Sequence, residues 1–168
     1  MHVSWSTDIG RYNMRLSKNF TVSEITRSNT AKRKGIDNSP TDKHLKSLQL
    51  MITHLIQPIR DELGPIRVTS GYRSPKVNRS IGGSRKSQHC KGEALDLQFW
   101  RDGKMINKEI YDFVINSELK FDQMINEYDF SWIHLSYNHT RNRNVILEAF
   151  TDEDGDTAYR YAPDINIL

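Results

Sequence analysis

The chain is expected to be an α+β protein, with N-terminal helices packed on a mainly antiparallel sheet. Helix signals crowd the first 64 residues, two-residue alternation dominates from residue 66 onward, and the regular strand-helix alternation of a parallel sheet is missing. A length of 168 residues and a mass of 19.6 kDa suit one hydrophobic core. Residues 1–168 therefore read as one domain, with a core over about residues 19–150 and peripheral segments at 1–18 and 151–168.

The first helix is expected over Ser23 to Lys32, because Thr21 and Glu24 form a capping-box pair. A stronger start signal is Ser39-Pro40-Thr41-Asp42, with Ser39 as cap, Pro40 at the first helical position and Asp42 at the positive helix end. From there Leu45, Leu48, Ile52, Leu55 and Ile59 recur three and four apart and mark a core-facing stripe to about Leu63. Pro58 interrupts it and predicts a kink, and Gly64-Pro65 ends it. Ile66 to Thr69 then reads as a strand, Ser70 to Gly92 as a long irregular segment, and Ala94 to Phe99 as a second strand. Loops of that length are uncommon unless they serve a site. Asn107 is placed to cap a helix through Ile115, and Phe121 to Tyr128, Trp132 to Tyr137 and Val145 to Phe150 are further strands. Thr151 to Leu168 carries an acidic turn and reads as peripheral.

Hydrophobic residues form 36% of the chain, charged residues 27%, and mean hydropathy is −0.69, a globular composition. No stretch approaches the ~20 apolar residues of a membrane helix. Met1 to Gly10 holds no apolar block, so the expectation is cytoplasmic synthesis without a signal peptide and no membrane partner. The single cysteine, Cys90, excludes an internal disulfide and a Cys-rich zinc module. A net charge of +3 and a pI near 9.0 favour an anionic partner, but the Lys and Arg are scattered without a nucleic-acid reading motif, so no nucleic-acid partner is expected.

Chemistry concentrates in Ser87 to Asp96, where His89 precedes a strand that carries Asp96 on its polar face. In Trp132 to Ser136 the same alternation sets His134 opposite Ile133 and Leu135. Two imidazoles and one carboxylate would hold Zn²⁺ and leave a fourth position for water, whereas a salt-bridged strand Asp and a core His are the structural alternative. His139 is a rival ligand in a turn-like setting; His2, His44 and His54 read as surface residues, and Cys90 as a packed thiol.

In order along the chain, Asn19 to Glu24, Gly35 to Asn38, Gln57 to Asp61, Thr69 to Pro75, Val77-Asn78, Gly82 to Ser84, the His89/Asp96 run, Phe121 to Gln123, Trp132 to His134 and Asn142-Arg143 resemble the zinc D-alanyl-D-alanine carboxypeptidase family. The likeness is to the branch of phage and bacterial peptidoglycan peptidases, which has the Hedgehog/DD-peptidase fold. The resemblance implies one zinc per chain on His89, Asp96 and His134, with Arg73 on the substrate carbonyl or oxyanion and Ser70 and Gln88 orienting nearby groups. Where some relatives carry a Glu three residues before the last ligand, this chain has Ser131. Glu127 resembles the Glu that other members of this fold carry at the end of the preceding strand and is the general base the resemblance implies, with Asp129 as the alternative. The implied activity is hydrolysis of peptidoglycan stem peptides, as a D-Ala-D-Ala carboxypeptidase or an endolysin-type endopeptidase. The implied setting is the cell wall, reached with phage lysis or virion proteins, with cytoplasmic recycling as the lesser option. A catalytically silent wall-binding or virion structural module on the same fold is the alternative, motivated by Ser131.

Overall fold

The computed structural model describes residue 10 and residues 13–162, so His2 lies outside it; of the segment 1–18 that reads as peripheral, the described end is not, since Leu16 is buried in the core and Met14 packs against it. Thr21 caps α1 (Val22–Thr26) by accepting from the Glu24 N–H. The first expected helix is broken: Ser28 accepts from the Ala31 N–H and starts α2 (Asn29–Lys34) afresh. The next cap also moves. Thr41, not Ser39, caps α3 (Asp42–Met51), because its side chain accepts from the His44 N–H while His44 Nδ1 accepts from the Thr41 N–H. An imidazole closes this capping box in place of a carboxylate.

The helical stripe continues through a π-turn (Ile52–Ile56) into α4 (Gln57–Leu63). Pro58 has no N–H for the His54 carbonyl, and the wider turn ahead of it absorbs the mismatch, with the Gln57 N–H reaching back to Ile52 O. Leu45, Leu48, Ile52, Leu55 and Ile59 are all buried, as their spacing requires.

Seven strands form one sheet: β1 (Ile66–Ser70), β2 (Ala94–Arg101), β3 (Lys104–Met105), β4 (Gln123–Glu127), β5 (Trp132–Ser136), β6 (Val145–Thr151) and β7 (Thr157–Tyr161). The order is β1-β2-β5-β4-β6-β7, with β3 paired to β2. Every pairing is antiparallel except β4 with β6, which run parallel because residues 137–144 return the chain to the start of β4. The segment Ser70 to Gly92 is more regular than expected, holding α5 (Pro75–Ser80), capped by Ser74, and a 3₁₀ turn (Gln88–Lys91). The C-terminal stretch is likewise not simply peripheral, since β7 extends the sheet beside β6.

One face of the sheet, with Leu95, Leu97, Phe99, Met124, Ile133 and Leu135, is buried in a core shared with α3, α4 and α6 (Lys108–Ile115). The other face carries the polar alternates and is open. Asn107 stands at the start of α6, but its side chain does not cap that helix. Its Oδ1 accepts from the Phe99 N–H at 2.7 Å and its Nδ2 donates to the carbonyls of Phe130 and Ser131, which pins the β4–β5 turn to β2. Among the described residues no helix is long and apolar enough to cross a membrane.

Candidate metal centre

Sheet register builds the site. Asp96 in β2 stands directly opposite His134 in β5, so both side chains project from the open face. His89 arrives from the 3₁₀ turn, which ends at Gly92 with φ +71°. A Cβ on Gly92 would lie 2.6 Å from the His44 carbonyl oxygen, so only glycine lets this turn press against α3.

His89 Nε2, Asp96 Oδ1 and His134 Nδ1 form a triangle with sides of 3.3 Å (His89 to Asp96), 3.0 Å (Asp96 to His134) and 3.3 Å (His89 to His134). Ligands about 2.0–2.1 Å from a tetrahedral zinc are separated by about 3.3–3.4 Å, so the triangle is the right size for one face of that polyhedron. The donor chemistry fits as well. His89 Nδ1 donates to the Gly71 carbonyl at 2.8 Å, which leaves the Nε2 lone pair facing its two neighbours. Among the described residues this is the one cluster of three metal-ligating side chains within reach of one another.

His89 is 2% exposed, and burial, opposed by the Asp96 charge, holds its imidazole below the ordinary histidine value. Burial alone would raise Asp96, but the charge and hydrogen bonds of His89 and His134 hold its carboxyl well below the usual carboxylate range. The site thus presents an ionised carboxylate between two imidazoles, an arrangement that a dication completes.

A cleft of about 910 Å³ runs across the triad. Arg73, Gln88, Gln123 and Glu127 all line it. Glu127 ends β4, opposite Trp132 and one row along the open face from His134, which is opposite Ile125. It is 7% exposed, and burial pushes its carboxyl up to about 7, with His134 opposing and the Asp96 charge adding to the shift. Gln88 Nε2 donates to Asp122 Oδ2, and Asp122 in turn accepts two hydrogen bonds from the Arg143 guanidinium, which hold its carboxyl low. Arg73 donates its backbone N–H to His89 O, and its buried Nε has no hydrogen-bond partner among the described residues.

Two expected positions fall elsewhere. Asp129 sits exposed at the tip of the β4–β5 turn, where Tyr128, Asp129 and Phe130 all have positive φ, and it does not line the cleft. Ser70 is opposite Asp96 in β1, past an irregularity after Val68, but lines an adjoining cavity of about 230 Å³ instead of the cleft. Ser131 has a different task from a catalytic carboxylate: its Oγ donates to Tyr128 O and its N–H to Glu127 O, closing the turn. His139 is exposed, His54 stacks on Tyr137, and burial raises the Cys90 thiol, as for an unreactive packed cysteine. Among the cleft residues that the sequence does not point to are Lys86, Lys91 and Arg141, and, from a strand it does not show, Thr157 and Tyr159 of β7 beside Leu147 of β6. The alternation Thr157-Ala158-Tyr159-Arg160-Tyr161 is the one signal that could have found the strand.

An open cleft that sets three metal-ligating side chains beside a buried carboxylate, on an α+β fold, has the parts that a metal-dependent hydrolase needs. The Peptidase M15 family model matches residues 18–136, well over half of the chain and every residue of the triad, Arg73 and Glu127 included. The chain belongs to that family, the zinc D-Ala-D-Ala carboxypeptidase-type peptidases. No curated protein matches it.

Proposed function

We propose that the protein is a zinc-dependent peptidase that hydrolyses amide bonds of peptidoglycan stem peptides. The observation that carries this reading is the placement of Glu127 in one cleft with the His89–Asp96–His134 triangle. Those three residues would hold the zinc, which when bound supplies Lewis acidity to the scissile carbonyl and to the attacking water.

The remaining work belongs to the chain's own side chains. The Glu127 carboxylate takes a proton from the attacking water and returns it to the leaving amine, and a carboxyl held near neutrality suits both transfers. Arg73 brings a permanent positive charge and planar N–H donors to the charge that develops on the carbonyl oxygen. Asp122, fixed by Arg143, holds Gln88 at the cleft wall, where its amide orients the peptide. Lys86, Lys91 and Arg141 also line the cleft, a balance suited to a substrate that carries free carboxylates. The proposed place of action is the cell wall, reached by phage-type lysis or on a virion; recovery of the native protein from virions or lysed culture tests it, against retention in intact cytoplasm.

Digestion of purified peptidoglycan by zinc-loaded protein, with and without chelator, tests the activity by mass spectrometry of the released fragments. Chelator-sensitive release of stem-peptide fragments supports the reading and names the bond. An intact wall, with zinc confirmed bound, assigns the protein to the silent binding module instead.

A further inference from the structure

The family match ends at residue 136, yet one wall of the cleft is built from residues beyond it. The β6–β7 hairpin contributes Leu147, Thr157 and Tyr159. Register puts Tyr159 in a defined place. It is paired with Ala149, which is paired with Glu127, which is paired with Trp132, so the four lie in one row across the open face. Between Glu127 and Tyr159 that row holds only the methyl of Ala149, too small to screen the phenol from the carboxylate.

The hairpin is held firmly at this point. Tyr128 Oη and Thr157 Oγ1 are hydrogen-bonded, tying the start of β7 to the β4–β5 turn directly after Glu127. Tyr128 reaches Thr157 from a left-handed backbone position, φ +46°, which is costly for a residue with a side chain. The turn is locked there by Ser131 Oγ on Tyr128 O and by Asn126 Oδ1 accepting from the Phe130 N–H. Tyr159 itself is 53% exposed, and its hydroxyl makes no hydrogen bond to another described residue. A large amphipathic side chain is thus held on the cleft wall with its polar tip unused.

We propose that Tyr159 is a substrate-binding residue, its phenol donating a hydrogen bond to the peptide carbonyl next to the scissile bond on the Glu127 side. The inference rests on the peptidase reading and adds a residue from outside the family-matched segment to it. Burial foremost, then the charges of Glu127, Tyr128 and Asp96, raise the phenol's pKa and keep it a donor at neutral and mildly alkaline pH. Because the hairpin's position depends on Tyr128 and Thr157 and not on Tyr159, the contact is separable from the fold.

The test compares Tyr159→Phe and Tyr159→Ala with wild type, on a soluble disaccharide stem-peptide fragment of peptidoglycan as substrate. Binding of the same fragment is measured by calorimetry in the Glu127→Gln background. Loss of one neutral hydrogen bond should raise KM about three- to tenfold in Tyr159→Phe, and further in Tyr159→Ala, with kcat changed less than KM. Fragment affinity in the Glu127→Gln background should weaken by the same factor, with zinc content and the unfolding midpoint as in wild type. Tyr161→Phe, on the same strand and 78% exposed but outside the cleft lining, should match wild type. Unmoved KM and fragment affinity in both Tyr159 variants, while wild type turns over, would overturn this assignment alone. A loss explained by lower zinc content or a lower midpoint would overturn it as well, in favour of a structural role. Absence of both turnover and fragment binding in wild type would instead overturn the peptidase reading, and this inference with it.

Discussion

Gly71→Ala should weaken zinc binding without touching any ligand. A Cβ at this position would lie 2.0 Å from the Ile25 carbonyl oxygen and 2.9 Å from its side-chain Cγ2, far inside contact distance. The first of these atoms is backbone, and the Tyr72 N–H holds it at 2.9 Å, so the Gly71 segment must retreat by on the order of 1 Å to relieve the clash. The Gly71 carbonyl is the acceptor that fixes His89 Nδ1 at 2.8 Å, and a shift of that size breaks the bond. His89 then loses both its orientation and the constraint that keeps Nε2 unprotonated. Losing such an outer partner costs about 10- to 100-fold in metal affinity, or about 1.4–2.7 kcal/mol. Competition against a chromophoric chelator reads the zinc dissociation constant, and circular dichroism confirms that the variant is folded. A folded Gly71→Ala protein with wild-type zinc affinity would refute the claim that the Gly71 carbonyl positions His89.

Three further outcomes are expected from the same geometry. Glu127→Gln should keep its zinc and lose about 10²- to 10⁴-fold in kcat, measured by fragment release, whereas Asp129→Ala should stay close to wild type because Asp129 lies outside the cleft. The proposed base, Glu127, can take a proton only when ionised and its carboxyl is raised to about 7, so kcat/KM should rise with pH through an acid limb near or below that value, a bound cation drawing it lower. A rate that falls from about pH 5 to about pH 7 would contradict the sign of that dependence. Asn107→Ala would leave the Phe99 N–H and the Phe130 carbonyl short of a partner, at about 1–3 kcal/mol for each buried group left unsatisfied, while the Ser131 carbonyl keeps the Gln98 amide; it should lower both the unfolding midpoint and the activity by loosening the turn after Glu127.

The parts of this molecule visible in its sequence are those governed by local periodicity. Alternation alone put Asp96 and His134 on the polar face of their strands, and three-four spacing put Leu45 to Ile59 in the core. His89 is different in kind: its place beside Asp96 in the sequence marks it as a candidate ligand, but nothing in its spacing says that a 3₁₀ turn braced by Gly92 will swing it over β2, and the family resemblance is what singles it out. The Thr41–His44 cap was hidden because the imidazole stands where a carboxamide or carboxylate signals a capping box. Ser131 reads as a missing acid until the hydrogen bonds of the β4–β5 turn are seen. Tyr159 was out of reach for a non-local reason: its place beside Glu127 depends on β6 running parallel to β4, a pairing made by the return of a loop and not by any pattern along β7.

The triad is the centre of the account, and zinc stoichiometry tests it most directly. Elemental analysis of the purified chain should give about one zinc per molecule for wild type and for Glu127→Gln, and near none for His89→Ala, Asp96→Ala and His134→Ala, each shown to be folded by circular dichroism. Stoichiometric zinc retained by the folded single-ligand variants, or a wild-type chain that takes up no zinc from a buffered supply, would contradict it.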